Sequence, residues 1–165
     1  MKIMINLSNG TTFEEYLKQS ELKYGDIQRV TYNSTILSLN TKQSLQNLTS
    51  IVNVAVFSEG YCPDCIVTLP FIKRMAEENK NIHLYCFPKS GYEKFLEEYT
   101  GDTRIPTIIT FDSDMSPKGA YVEFPKKVLD MMTPLKIEEK KNLVNDYRQG
   151  KYNPIIEQEL LDIIL

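Results

Sequence analysis

The sequence predicts a compact α/β fold with helical additions at both ends. Three observations carry that expectation. Ile51-Val52-Asn53-Val54-Ala55-Val56-Phe57 is β-branched and apolar on both faces, as a central strand is. It turns directly into a helical pattern through Ile66, Leu69, Phe71, Ile72 and Met75, with Cys62-Pro63-Asp64-Cys65 at the turn. From there strand and helix patterns alternate as β-α-β-α-β-β-α, without a linker or an internal repeat.

Residues 1–50 are polar and only weakly helical. Thr12-Phe13-Glu14-Glu15 reads as a capping box, because the Thr12 hydroxyl can reach the Glu15 N–H and the Glu15 carboxylate can reach back. A short helix over 13–20 follows, and a second over 41–48 carries Leu45 and Leu48 on one face. Between them, Gly25-Asp26 and Tyr32-Asn33-Ser34 read as turns. This segment is expected to be a helical decoration on the core, with a lid facing substrate as the alternative.

The first strand spans 51–58, and the helix after the cysteines runs to about residue 80. Pro70 inside that helix removes one ladder hydrogen bond and should kink it. Residues 82–87 form a second strand stopped by Pro88, and 91–99 a short helix. A third strand over 107–111, a loop with Asp112 and Asp114 as turn formers, and a return strand over 120–124 come next. Helices over 126–132 and 137–149 end at Gly150, and Pro154 opens a last helix. Its stripe of Ile155, Ile156, Leu160, Ile163 and Ile164 reads as packing.

Composition excludes several classes. The 165 residues are 42% hydrophobic, enough for one domain with its own core. A net charge of -3 with Lys and Arg scattered argues against a nucleic-acid partner. Three cysteines do not make a disulfide framework. Met1-Lys2-Ile3-Met4-Ile5-Asn6 has no apolar leader pattern, and no run of about 18 apolar residues could span a membrane. A cytoplasmic protein of a reducing compartment is expected.

Cys62 falls at a helix N-cap, where free N–H groups and the positive dipole end stabilise a thiolate. Pro63 suits the first helical position, and Cys65 lies one turn on, within reach of a disulfide. A metal site of Cys62, Cys65, His83 and Cys86 is the competing arrangement. It is disfavoured because residues 83 and 86 on one strand point to opposite faces. Cys86 alternates with Ile82 and Leu84 and reads as a buried structural thiol; His83 reads as a packed core-edge residue.

These residues together resemble the thioredoxin family, over roughly residues 51–132. Cys62-Pro63-Asp64-Cys65 resembles its Cys-x-x-Cys, Tyr61 stands where thioredoxins usually carry Trp, Pro70 matches the helix proline, and Ile105-Pro106-Thr107 matches Ile-Pro-Thr. The resemblance implies a thioredoxin-like sandwich, a central mixed β-sheet flanked by helices, as a single domain over 1–165. An N-terminal helical extension (1–50) and C-terminal helices (133–165) would then flank a core at 51–132. It also implies a cis Pro106 facing the dithiol, with Tyr61, Ile105 and Pro106 contacting substrate. Two departures stand out: Val56 occupies the position of the family's buried Asp, and no glycine follows the last strand at Val122-Glu123-Phe124.

The expected activity is thiol-disulfide exchange, with Cys62 attacking, Cys65 resolving, and no cofactor beyond the redox-active Cys62–Cys65 disulfide. Substrates would be disulfide-containing proteins or small molecules, recycled by a reductase or a low-molecular-weight thiol. Neither nucleic acid nor membrane is an expected partner. Asp64 beside Cys62 opposes the helix dipole, which favours a reductase over an oxidase or isomerase. The alternative is a thioredoxin-fold binding or chaperone-like module, in which the added helices hold a partner and the dithiol plays a minor part.

Overall fold

The computed structural model describes residues 4–165, so the reading of the chain start falls partly on residues 1–3, outside the described residues. Four strands form one mixed sheet in the order β2-β1-β3-β4: β1 (Val52–Phe57), β2 (Ile82–Phe87), β3 (Thr107–Phe111) and β4 (Pro117–Val122). β1 and β2 pair in parallel, as the intervening helix requires, while β1–β3 and β3–β4 are antiparallel. β1 and β3 are buried along their whole length, which explains their apolar composition on both faces.

The period-2 alternation of β1 divides the core in two. Val52, Val54 and Val56, with Ile108 of β3, face the helix that follows the dithiol, α4 (Pro63–Glu77). Ala55, Phe57, Ile109 and Phe111 face the other way, onto Phe95 and Leu96 of α5 (Glu93–Thr100). Phe57 stacks on Phe87 there, ring centroids 5.3 Å apart.

Both terminal additions join the first of these layers. Phe13, Tyr16 and Leu17 come from α1 (Phe13–Gln19), and Leu45 from α3 (Leu39–Gln46). Leu143 and Tyr147 come from α7 (Ile137–Arg148), and Ile156, Leu160 and Ile164 from α8 (Asn153–Ile164). α6 (Lys126–Met132) adds Val128. The N-terminal segment is therefore part of the main core rather than a decoration on it. Before α1, Thr11 exchanges two backbone hydrogen bonds of 2.8 Å with Cys86, covering the open edge of β2.

The capping box at α1 forms as the sequence predicts, with Glu15 N–H on the Thr12 hydroxyl and Thr12 N–H on the Glu15 carboxylate. The two turns expected at Gly25-Asp26 and Tyr32-Asn33-Ser34 do not form; both lie within one helix, α2 (Leu22–Ser34). Packing overrides the local turn preference, since a Cβ at residue 25 would come within 3.2 Å of the Leu17 carbonyl. The helix expected at 41–48 starts earlier, where the Ser38 hydroxyl accepts from the Thr41 N–H at 3.3 Å. The return strand is also earlier than the expected 120–124. As an edge strand it tolerates Pro117, and it ends before Glu123, whose φ of 62° breaks the extended backbone. α4 ends at Glu77, three residues short of expectation. Among the described residues no helix is long and apolar enough to cross a membrane.

Candidate active site

The turn from β1 into α4 places Cys62 at the N-cap, with Pro63 in the first turn. The Cys65 backbone N–H donates to the Cys62 sulfur at 3.3 Å, so the sulfur takes the place of a capping oxygen. Cys62, Cys65 and Cys86 are free thiols. The hydrogen bond from Cys65 lowers the Cys62 thiol below its ordinary value, aided by the N–H groups of Cys65 and Asp64, against burial and the Asp64 charge. Cys65 moves the other way. It is fully buried, and burial followed by its neighbour Cys62 pushes it well above the ordinary thiol range. The arrangement holds one thiolate-prone sulfur at the helix start and one protonated sulfur beneath it.

The Ile105–Pro106 peptide is cis, and the Cys62 thiol points at the Ile105 carbonyl at 3.9 Å. Ile105 and Pro106 are thus brought to the dithiol, although they lie far from it in the chain. Tyr61 is 61% exposed beside it. Pro70 is buried within α4, which continues through it. Cys86 is buried and its thiol is pushed up to about 12 by burial. Among the described residues no three His, Cys, Asp or Glu side chains gather around a cation-sized space.

Asp64 is not the bare carboxylate that the sequence suggested. It is buried, and Arg148 of α7 grips both of its oxygens, Nε–Oδ1 at 2.9 Å and Nη2–Oδ2 at 3.3 Å. Nothing in the local sequence links these two positions. Arg148 is visible only as a basic residue in the last turn of α7, an arrangement that the helix dipole alone would explain.

The position after β4, where the sequence lacks a glycine, is nonetheless in the glycine-favoured region: Glu123 has a φ of 62°. Its N–H donates to the Pro106 carbonyl at 2.8 Å, locking the end of β4 onto the proline loop. Its half-buried carboxylate lies 3.6 Å from Arg104, and burial raises it above the ordinary carboxylate range. Arg104 also donates from Nε to Asp102 at 2.7 Å. Asp64, Arg148, Glu123, Arg104 and Asp102 form a charged rim on the proline side of the dithiol.

On the inner side the site is apolar and hydroxylic. Val56 is fully buried and offers no proton acceptor. Two residues on, Ser58 is buried, acts to lower the Cys65 thiol against its burial, and shares a 2.7 Å hydrogen bond with the Tyr16 hydroxyl of α1. Sequence reasoning missed this pair because the two residues are 42 apart and neither belongs to a recognisable motif.

The family model described as thioredoxin matches residues 10–150. A thioredoxin from Mycoplasmopsis pulmonis (strain UAB CTIP) is 27% identical over 94 residues, covering 53% of this chain and 86% of that protein. A crystal structure of a protein of unknown function from Pseudomonas aeruginosa superposes with a TM-score of 0.81 at 21% identity, over 96% of this chain and 93% of that one. An HIV epitope scaffold gives a TM-score of 0.80, also at 21% identity, over 96% and 94%. These two likenesses establish the fold, and they include the helices at both ends.

Proposed function

This chain belongs to the thioredoxin family, and from that premise we propose that it is a dithiol reductase of protein or small-molecule disulfides. The observation that carries the reading is the opposed pair of sulfurs: Cys62 lowered at the α4 N-cap, Cys65 raised and buried one turn on. The Cys62 thiolate attacks one sulfur of a target disulfide, whose S–S bond breaks, and the departing target thiolate takes a proton from solvent. Cys65 then loses its proton and attacks the Cys62 sulfur of the mixed disulfide. The second target thiol leaves, and the pair is oxidised to Cys62–Cys65. A dithiol reductase or a low-molecular-weight thiol returns the two electrons. No cofactor takes part beyond this disulfide.

The Ile105 carbonyl, 3.9 Å from the attacking sulfur, the cis Pro106 after it and the exposed Tyr61 are the surface on which an extended target segment would lie. A reducing compartment such as the cytoplasm suits this direction of electron flow. The test is the midpoint potential of the Cys62–Cys65 couple, equilibrated against defined dithiol/disulfide buffers, together with turnover of Cys62→Ser. A potential near or below about -240 mV, with turnover abolished by the substitution, is expected. A value between about -180 and -120 mV would mean oxidase or isomerase chemistry. Failure to form the disulfide would leave a binding module.

A further inference from the structure

Behind Cys65 the fold carries a set of polar groups that the dithiol scheme does not use. Ser58 follows β1 on the face of Val56, and it and Tyr16 are buried. Their hydroxyls are 2.7 Å apart. Gln28 of α2, fully buried, acts to lower the Tyr16 hydroxyl and directs its side-chain nitrogen at the Ser20 hydroxyl and the Gly60 carbonyl, both at 3.5 Å. The N-terminal helices are seated tightly here, since a Cβ at Gly60 would come within 2.7 Å of the Ser20 hydroxyl. Buried polar groups persist where they are paired. Phenylalanine at 16 and alanine at 58 would fill much the same volume, so packing alone does not call for two paired hydroxyls here.

We propose that Ser58 is a catalytic residue for the resolving step, donating its hydroxyl proton as a hydrogen bond to Cys65 as that sulfur becomes a thiolate, and that Tyr16, supported by Gln28, is the positioning residue that keeps Ser58 turned that way. For this step the Tyr16–Ser58 pair, in which either hydroxyl can donate, is turned so that the Tyr16 O–H lies on Ser58 Oγ and the Ser58 O–H faces Cys65. A hydrogen bond to the charged form favours that form. The Cys65 thiol faces burial and its neighbour Cys62, with Ser58 among the few groups acting to lower it. No bond order changes within the chain of hydroxyls. The Cys65 S–H proton passes through solvent to the departing target thiolate, a new Cys62–Cys65 S–S bond forms, and the mixed S–S bond breaks. Tyr16 and Ser58 line a cavity of about 90 Å³ with Ser20, Glu59, Gly60 and Pro88, room for water at the hydroxyl pair. The N-terminal helices thereby supply part of the site.

This inference rests on the dithiol reading, and the experiment separates the two. Reduced protein is mixed with an aromatic disulfide that releases a coloured thiolate at each step, and both releases are followed by stopped flow across pH. The first release reports attack by Cys62 and the second reports resolution by Cys65. For Tyr16→Phe and Ser58→Ala we expect the first release at the wild-type rate and the second slowed about tenfold. The pH profile of the second release should move to higher pH, and Ser58→Thr, which keeps the hydroxyl, should restore both its rate and its profile. A second release unaltered in rate and pH profile in Tyr16→Phe overturns the proposal. A wild type that releases one equivalent only overturns the dithiol reading and this inference with it.

Discussion

Arg148 closes on Asp64 through two nitrogens, at 2.9 and 3.3 Å, and so ties the last turn of α7 to the first turn of the dithiol helix. The pairing sets what Cys62 experiences. After burial, the Asp64 charge is what raises the Cys62 thiol, against the Cys65 hydrogen bond and the N–H groups at the helix start. Arg148 offsets that charge from the other side. Arg148→Gln should therefore leave less Cys62 thiolate at neutral pH, slow its alkylation by iodoacetamide several-fold, and make the couple more reducing. Stability should fall by about 1 kcal/mol, a modest figure because the Arg148 side chain is 40% exposed. An unchanged alkylation rate would show that Asp64 does not reach Cys62 electrostatically.

The three thiols should be distinguishable by chemistry alone. Cys62 is lowered, whereas Cys65 and Cys86 are both raised by burial, Cys86 to about 12. Limited alkylation of the reduced native protein near neutral pH, read by peptide mass spectrometry, should label Cys62 first. Cys65 and Cys86 should react only after denaturation. Early labelling of Cys86 would contradict its buried place in β2, paired between Val56 of β1 and Thr11.

Glu123 predicts a pH dependence of stability. Burial raises its folded-state value above 4.5, so between the unfolded and folded values the native state holds more proton than the unfolded one. Its contribution is fully present below the unfolded value and is lost as pH rises through the folded one. Glu123→Gln does not titrate and escapes that loss. Urea midpoints measured from about pH 4 to pH 7 should show the variant gaining on the wild type as pH rises. A difference independent of pH would rule out a raised carboxyl at this position.

The parts of the fold that were legible were those whose cause is local. β2 and β3 follow from short β-branched and aromatic runs, and the α1 capping box from the spacing of Thr12 and Glu15. Cys62, Pro63, Asp64 and Cys65 are contiguous, so the geometry of the helix start could be reasoned from their order. Ile105 and Pro106 were reached through a resemblance, because no local rule carries residues 105–106 to residue 62. α2 was hidden by Gly25, which reads as a turn former but serves close packing against α1. Arg148 and Asp64 are 84 residues apart, and Tyr16 and Ser58 are 42 apart. Such pairs exist only once the sheet brings α1, α4 and α7 onto one layer, which periodicity does not encode. Glu123 was misleading in another way: its backbone adopts the left-handed conformation with a side chain that ordinarily disfavours it.

The C-terminal helix offers the sharpest test of whether the added helices are structurally required. Leu160 is fully buried among Ile156, Ile164 and the first core layer, and α8 also binds the sheet through its backbone. Thr110 of β3 donates its hydroxyl to the Ile163 carbonyl at 2.5 Å, and Lys118 of β4 donates to the Ile164 carbonyl at 2.7 Å. Gly119 has no room for a side chain, because a Cβ there would meet Ile163 at 2.9 Å. Truncating Leu160 to alanine removes buried methyl groups and leaves a cavity in a layer continuous with the helix that carries the cysteines. The expected loss is about 2–5 kcal/mol in urea unfolding, with one cooperative transition retained. If α8 were only an appendage, Leu160→Ala would leave the midpoint nearly unchanged, or would split the transition so that the helix melts before the sheet.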